Sequence, residues 1–365
     1  MEEILITKNG AKVMTKSGEG TYSICANNAD VTVVEDTIAV LSGENSKAVI
    51  TGNGGSVFNE GENNQVMVKA VNGIVKIDNI SAVVKVDKNA KDCKVLNRGD
   101  FAEIEIDGEH ASFYSNSRKS KVKLSGDYAQ VYTCDDEEDL KLDVLGNHSQ
   151  LNIKGKNVKL VIQGHHAKAE ISAESYVIHH NASEGEYCIK TYGHLHVRGY
   201  ENTISLDSGA KGSQINLYKG TNKVKVACDN VQLTANGTGN EVSISGNRNS
   251  ANVQGDCSQI VAVGDDNLIK CSGNNQRIVA CGKNKLSVDG QYSTVYWDGD
   301  GDIVFLQEGS WLTLVEWKLQ EDCNQPAIPT ARNYLIDGVG IKTGVVYHIE
   351  DGILTATPKK NINDK

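Results

Sequence analysis

Proline and aromatic residues are scarce in this sequence of 365 residues, and each shortage narrows the structures open to it. The three prolines, Pro326, Pro329 and Pro358, all lie near the C-terminus. Because proline cannot donate to a strand ladder, its absence before Pro326 favours continuous strand pairing. Aromatic residues make up 5% of the chain and hydrophobic residues 39%, which is lean for a compact globule with one large core.

Long apolar runs and paired cysteine motifs are also missing. The opening segment MEEILITKNGAKVMTKSG has no apolar h-region, and no apolar run in the chain is long enough to span a bilayer, so we expect no signal peptide and no membrane partner. The nine cysteines include no CxxC, which favours free, mostly buried thiols in a reducing compartment. A net charge of −10 makes binding to a nucleic-acid backbone an unfavoured function, because that function needs clustered Lys and Arg.

Glycine is abundant, and much of it recurs at a period of nine residues, as at Gly246, Gly255, Gly264 and Gly273. The repeated unit is G-[DN]-x-[SNA]-x-Φ-x-Φ-x, where Φ is apolar or small. Spacing by two places both Φ side chains on one face of a strand, while Gly, Asn and Asp tolerate the positive φ of a corner. About 33 such units between residues 9 and 307 predict an all-β fold, a parallel β-solenoid, for residues 1–307. The pattern fits two or three strands per coil.

The repeat fades after Gln307, and a different pattern follows. GSWLTLVEWK is a stronger strand with two tryptophans, and later strands are broken by Asp-Gly turns. We therefore expect a small β cap at 308–358 and a loose polar tail at 359–365. The segments GSWLTLVEWK and IDGVGIKTGVVYHIEDGIL resemble the C-terminal module of uncharacterised repeat proteins of bacteriophages and prophages. The resemblance implies a β-solenoid ahead of that module and a phage or prophage origin, and it carries no catalytic residues.

Six of the nine histidines fall between positions 165 and 196. His179 and His196 are separated by about one coil if a coil holds two strands. Histidines on one face could ligate zinc, contact an anionic ligand or act as acid and base, whereas ordinary surface histidines are the simpler interpretation. The candidate ligand or metal site comprises His165, His166, His179, His180, His194, His196 and Arg198.

Two other stretches could contact a ligand. Asp298, Asp300 and Asp302 alternate in WDGDGDI and could converge on calcium, although solvated turn aspartates explain them more simply. Tyr114 and Tyr132 lie two repeat units apart and flank Lys123, so the three residues could form a contact ladder for a sugar or a protein. Cross-strand packing alone explains the tyrosines equally well. The run CDDEEDLKLD is an acidic corner, either solvated or facing a basic partner.

No motif for catalysis stands out, since the acids are scattered and no Gly-x-Ser-x-Gly or His-Glu-x-x-His occurs. We therefore expect no catalytic residues and no cofactor other than a possible calcium or zinc ion. The favoured function is non-enzymatic interaction with a protein partner or further copies of the chain, with a trimer possible. The protein would be a virion or fibre-like component or an intracellular factor in the cytoplasm of a host bacterium. The alternatives are a carbohydrate-acting lyase or glycosidase, and an inhibitor that sequesters a small ligand or mimics nucleic acid.

Overall fold

The structure, a computed structural model, describes residues 3–318 and 327–357. These residues are all-β apart from a 3-10 turn at Ser208–Ala210. They divide into two compact units, the first ending at His194 and the second beginning at Leu195. No helix within the described ranges is long and apolar enough to cross a membrane.

In the first unit the strands are β1 (Glu3–Ile6), β2 (Lys12–Met14), β3 (Thr21–Ile24), β4 (Asp30–Val33), β5 (Ile38–Leu41), β6 (Lys47–Ile50), β7 (Ser56–Asn59), β8 (Gln65–Val68), β9 (Ile74–Ile77), β10 (Val83–Val86), β11 (Lys94–Asn97), β12 (Glu103–Ile106), β13 (Ser112–Ser115), β14 (Lys121–Leu124), β15 (Gln130–Thr133), β16 (Lys141–Val144), β17 (Gln150–Ile153), β18 (Lys156–Ile162), β19 (Lys168–Ile171), β20 (Glu174–His180) and β21 (Glu186–Ile189). β22 (His194–Val197) contains the division between the units.

In the second unit the strands are β23 (Thr203–Leu206), β24 (Gln214–Leu217), β25 (Lys223–Val226), β26 (Gln232–Asn236), β27 (Glu241–Ile244), β28 (Ser250–Gln254), β29 (Gln259–Val263), β30 (Leu268–Ser272), β31 (Arg277–Cys281), β32 (Asn284–Asp289), β33 (Thr294–Asp298), β34 (Gly301–Phe305), β35 (Trp311–Lys318), β36 (Ile328–Leu335), β37 (Val346–Glu350) and β38 (Ile353–Ala356).

Each unit is a parallel β-solenoid, which confirms the predicted fold class, and the two units together hold about 17 turns. Each coil contains two strands, because odd-numbered strands pair with odd ones and even-numbered strands with even ones. β13 pairs with β15 and places Phe113 opposite Val131, whereas β14 pairs with β16 and places Val122 opposite Leu142. One coil therefore spans two repeat units. In the first unit we call the two faces the odd-strand sheet and the even-strand sheet.

The core lies between the two sheets and is filled by the second and fourth residue of each short strand. In β16, Leu142 and Val144 are fully buried while Lys141 and Asp143 are exposed. An isolated strand of four residues buries too little apolar surface to offset its loss of backbone entropy, about 1–2 kcal/mol per residue. Stacking coil on coil gives all strands one shared core and completes each backbone ladder.

The corners between strands contain two kinds of residue, namely glycines and residues whose backbone has a positive φ. In the first unit positive φ falls on residues such as Asn63, Tyr128 and His148, and not on the repeat glycines Gly126 and Gly146. A Cβ at Gly146 would instead lie 1.9 Å from the carbonyl oxygen of Gly126 in the preceding coil. At these two positions the predicted positive φ is wrong, and close approach between coils explains the glycine. In the second unit Gly255, Gly264 and Gly273 do have positive φ, as predicted.

Parallel stacking gives way to antiparallel pairing after β34 and β35. β36 pairs antiparallel with β35, β37 with β34, and β38 with β37. Trp297 is fully buried at this end, whereas Trp311 and Trp317 remain about half exposed. Residues 319–326, which include Cys323, and the predicted tail at 359–365 lie outside the described residues.

The described residues include free thiols at Cys25, Cys93, Cys134, Cys228, Cys257, Cys271 and Cys281, and the expectation that most are buried is wrong. Only Cys93, Cys228 and Cys271 are buried, while Cys25 and Cys134 are among the exposed ones. The buried thiols occupy inward positions of strands or corners, where burial raises the pKa of Cys271 to about 12. The exposed thiols lie on corners, where the repeat leaves the side chain in solvent.

Candidate functional site

Three lysines stand side by side on the even-strand sheet of the first unit. Lys121 on β14, Lys141 on β16 and Lys159 on β18 are exposed and directly opposite one another in the two strand registers. Neighbouring strands lie about 4.8 Å apart, so the three side chains leave the sheet as one row across the coils. We call these three residues the lysine column.

Several charges elsewhere on this face are paired. The Glu105 carboxylate accepts hydrogen bonds from Lys123 Nζ at 2.8 Å and Lys85 Nζ at 3.0 Å, and these contacts lower the pKa of Glu105. Lys121 donates to Glu103 at 2.9 Å. Lys141 and Lys159, by contrast, form no ion pair with any residue in the described ranges.

The column is an exception to the charge pattern of the first unit. Within the strand registers described there, no other two like charges stand opposite one another, and Lys168 opposite Glu186 is typical. Like charges directly opposite in a sheet are destabilising. The lysine column therefore places like-charge repulsion on the sheet, which the Lys121–Glu103 pair relieves only at one end.

Two grooves flank the lysine column. The first, about 620 Å³ in volume, runs between the column and a ridge of corner residues that all have positive φ. The second, about 560 Å³, runs between the column and the outward third positions of the strands. Both volumes lie in the range of about 300–1,000 Å³ in which proteins hold ligands. We call the first one the lysine groove; besides the column, it is lined by Phe101, Lys119, Asp139, Asn157, Val158, Ser175 and Val177.

The lysine groove has the opposite charge to the chain as a whole. Four lysines and one aspartate line it, in a protein with a net charge of −10. Lys119 Nζ lies over the Phe101 ring, 5.5 Å from its centroid, so one wall combines a cation with the face of an aromatic ring. Asn157 and Ser175, which have short polar side chains, also line the groove. The arrangement can bind an anion through charge-assisted hydrogen bonds.

The histidine candidates are distributed over different environments. His165 and His166 lie on a corner, where His166 Nδ1 is 2.9 Å from Glu184 Oε2. His180 is fully buried in β20, and Tyr187 Oη lies 2.6 Å from its Nδ1. Burial raises the pKa of the Tyr187 hydroxyl. His180 follows Tyr176 and Ile178 in steps of two, so the alternation of the strand was the signal for an inward position.

The corner histidine His166 belongs to a continuous ring stack. His110, Tyr128, His148 and His166 occupy equivalent corners of successive coils, with centroids 4.9, 4.9 and 4.6 Å apart and nearly parallel planes. All four have positive φ, which explains why His and Tyr replace Asn there. Ring planes stacked in parallel direct their nitrogen lone pairs alongside each other, so they do not converge on one metal ion.

The remaining histidine candidates make separate contacts. His179 is exposed on β20, and His194 lies edge-on to Tyr192 with centroids 5.7 Å apart. In the second unit, His196 Nδ1 is 3.2 Å from Tyr218 Oη, and the Arg198 guanidinium lies 5.6 Å from the same ring. A single ligand site for the predicted set stays a prediction.

The three aspartates of WDGDGDI are each engaged by a different group. Trp317 Nε1 donates to Asp298, the Asp351 backbone N–H donates to Asp300, and Asp302 lies 2.9 Å from His348 Nδ1. Within residues 3–318 and 327–357, no group of three or more His, Cys, Asp or Glu side chains is arranged to hold a metal ion. The zinc and calcium hypotheses therefore gain no support from the geometry.

The predicted contact ladder is divided between the two faces. Tyr114 and Tyr132 stack on the odd-strand sheet, with centroids 5.1 Å apart and planes 14° from parallel. Lys94, not Lys123, accompanies them, since its Nζ lies 4.9 Å from the Tyr114 centroid. Lys123 lies on the even-strand sheet beside Glu105. Placing Lys123 between the tyrosines was wrong, because a coil of two strands sends alternate units to opposite faces.

The acidic corner contains one buried carboxyl group. Glu137 is fully buried and accepts hydrogen bonds from the Ser117 backbone N–H at 2.9 Å and the Ser117 hydroxyl at 3.1 Å. Burial raises its pKa above the ordinary value of 4.5. Asp135 and Asp136 are exposed beside it. Because Glu137 is fully buried, its contacts with Ser117 organise the corner.

The lysine column could not be recognised in the sequence, and the reason is geometric. Lys121, Lys141 and Lys159 are far apart in the sequence, and only a known coil length makes them neighbours. Comparisons of the chain with family models, curated proteins and solved structures gave no match. The geometry of the first unit is therefore the basis for assigning a function.

Proposed function

We propose that this protein is a non-enzymatic β-solenoid binding protein whose contact surface is the even-strand sheet of the first unit. The observation that carries the proposal is the lysine column, three like charges in register of which Lys141 and Lys159 form no ion pair with a described residue. An anionic partner would offset the repulsion that the fold alone leaves uncompensated.

A protein partner fits this surface better than a nucleic-acid backbone. Binding to a polyphosphate requires extended clusters of Lys and Arg, and its affinity depends on the whole charge of the surface. Here the lysines are confined to a few coils of an acidic chain, and Glu103, Glu105 and Asp139 lie beside them. A local acidic patch on a protein matches that scale.

The proposal extends to the origin of the protein and its assembly. The resemblance of residues 309–318 and 336–354 to modules of phage and prophage repeat proteins supports a phage or prophage origin. Within that class the protein acts either as a virion or fibre-like component, as a trimer, or as an intracellular factor that binds a host protein in the bacterial cytoplasm. The mass of the native particle separates these two roles.

The test is a purification from the source cells with the wild type and two charge-reversed variants. Lys141→Glu/Lys159→Glu alters the lysine column, whereas Lys47→Glu changes an exposed lysine at the equivalent position of β6, opposite Asp30 and Gln65. We expect one defined partner to accompany the wild type and Lys47→Glu and to be lost from the double variant. Equal recovery of that partner with all three proteins would contradict the proposal.

A further inference from the structure

We infer that the lysine groove binds an extended acidic polypeptide segment, which lies across the strands along the lysine column. This inference rests on the proposed function, because it names the chemistry of the partner at the same groove. The groove supplies cations in a row along the solenoid axis, and a linear ligand matches a row better than a compact anion does.

The spacing of the cations suits carboxylates on one edge of an extended chain. Side chains two residues apart in an extended segment are about 6.6 Å apart, and lysines on neighbouring strands are about 4.8 Å apart at the backbone. The flexible four-carbon stem of lysine covers this difference. Lys121 is partly engaged by Glu103, so Lys141 and Lys159 provide the main contacts.

The other lining residues favour a polypeptide over a polyphosphate. Asp139 projects from the ridge and would repel a phosphate chain, which offers only acceptors, whereas it can accept a backbone N–H of a peptide. Asn157 and Ser175 can both donate and accept. Val177 adds an apolar contact.

Stacking contributes little in this groove. Phe101 is the aromatic residue among the lining residues, and it already carries the Lys119 ammonium over its ring. Binding of single-stranded nucleic acids depends on aromatic rings that receive successive bases. The groove therefore recognises charge and backbone hydrogen bonding, which an acidic peptide supplies.

The test measures binding of a fluorescent (Glu-Ser)₅ peptide to the intact protein by anisotropy, with (Gln-Ser)₅ as the uncharged control. We expect (Glu-Ser)₅ to bind the wild type and Lys47→Gln alike, and to bind Lys141→Gln/Lys159→Gln roughly tenfold or more weakly. Far-UV circular dichroism establishes that both variants keep the wild-type fold, which is expected because the substituted side chains are exposed.

Three results would overturn the inference. They are equal binding of (Gln-Ser)₅, unchanged binding of (Glu-Ser)₅ by Lys141→Gln/Lys159→Gln, and tighter lysine-dependent binding of an oligonucleotide or a polyuronate than of the peptide. If (Glu-Ser)₅ does not bind the wild type but the cellular partner is still lost from Lys141→Glu/Lys159→Glu, the inference is overturned and the proposed function stands. If the peptide binds at the column but no cellular partner depends on it, the proposed function falls.

Discussion

Glu137 illustrates how a corner of the solenoid changes the chemistry of one residue. The corner turns its carboxyl group inward, where Ser117 supplies a backbone N–H and a hydroxyl. These contacts favour the ionised form, but the loss of hydration outweighs them and raises the pKa. The protonated form of this carboxyl group is therefore favoured more than in a solvent-exposed glutamate.

The raised pKa of Glu137 predicts a pH-dependent stability. Between 4.5 and the raised pKa the folded protein keeps a proton that the unfolded chain releases, so this group stabilises the fold at low pH and less as pH rises through the folded pKa. Glu137→Gln removes that loss while its amide oxygen still accepts from Ser117. We expect the variant to be more stable than the wild type by about 1 kcal/mol at pH 7.5, with a smaller gain near pH 4.5. Urea unfolding at both pH values tests this, and equal differences at the two would contradict it.

At the scale of the strand, the repeat explains most of what could be predicted. Apolar residues two apart identify strand positions and their inward faces, as for Leu142 and Val144, because the alternation belongs to any strand. The number of strands per coil did not follow, since a nine-residue unit looks the same in a two-sided or three-sided coil. Because the number of strands per coil was not known, Lys123 was assigned to the wrong face. The lysine column was missed for the same reason, since its members are neighbours only when a coil holds two strands.

Because the coils lie in close contact, substitution of a repeat glycine is expected to destabilise the fold severely. A Cβ at Gly126 would lie 2.0 Å from the carbonyl oxygen of Gly108, so Gly126→Ala must push two coils apart. We expect a loss of roughly 3 kcal/mol in the free energy of unfolding. Gly340→Ala serves as the control, because its Cβ would meet nothing nearer than 3.6 Å and its φ is not positive. Similar small losses in both variants, measured by urea unfolding, would refute the steric account.

The lysine column predicts a gain in stability on charge reversal. Lys141→Glu would place a carboxylate between Lys121 and Lys159, the arrangement that Glu105 already has between Lys85 and Lys123. We expect the variant to be more stable by about 0.5 kcal/mol in low salt and to bind the acidic peptide more weakly. Thermal and urea unfolding at low and high salt measure the first effect. A variant less stable than the wild type would show that the column is no burden on the fold.

For the whole molecule, the position of the positive charge is more informative than the total. A net charge of −10 keeps other acidic proteins at a distance, and the salt bridges of the first unit mostly pair Lys with Glu on adjacent coils. The lysine groove is an exception, because it is locally positive and two of its lysines are not paired with a described acidic residue. The net negative charge repels an acidic partner at long range, whereas the lysine groove attracts it locally. Binding therefore requires docking at the groove and depends on ionic strength.

The most direct measurement is lysine footprinting of the native protein with and without its bound partner, read by mass spectrometry after brief acetylation. The account predicts that Lys141 and Lys159 react more slowly in the complex, while Lys47 on the same face and Lys223 in the second unit react at unchanged rates. Protection elsewhere, with Lys141 and Lys159 as reactive as in the free protein, would contradict the assignment of the binding surface to the even-strand sheet.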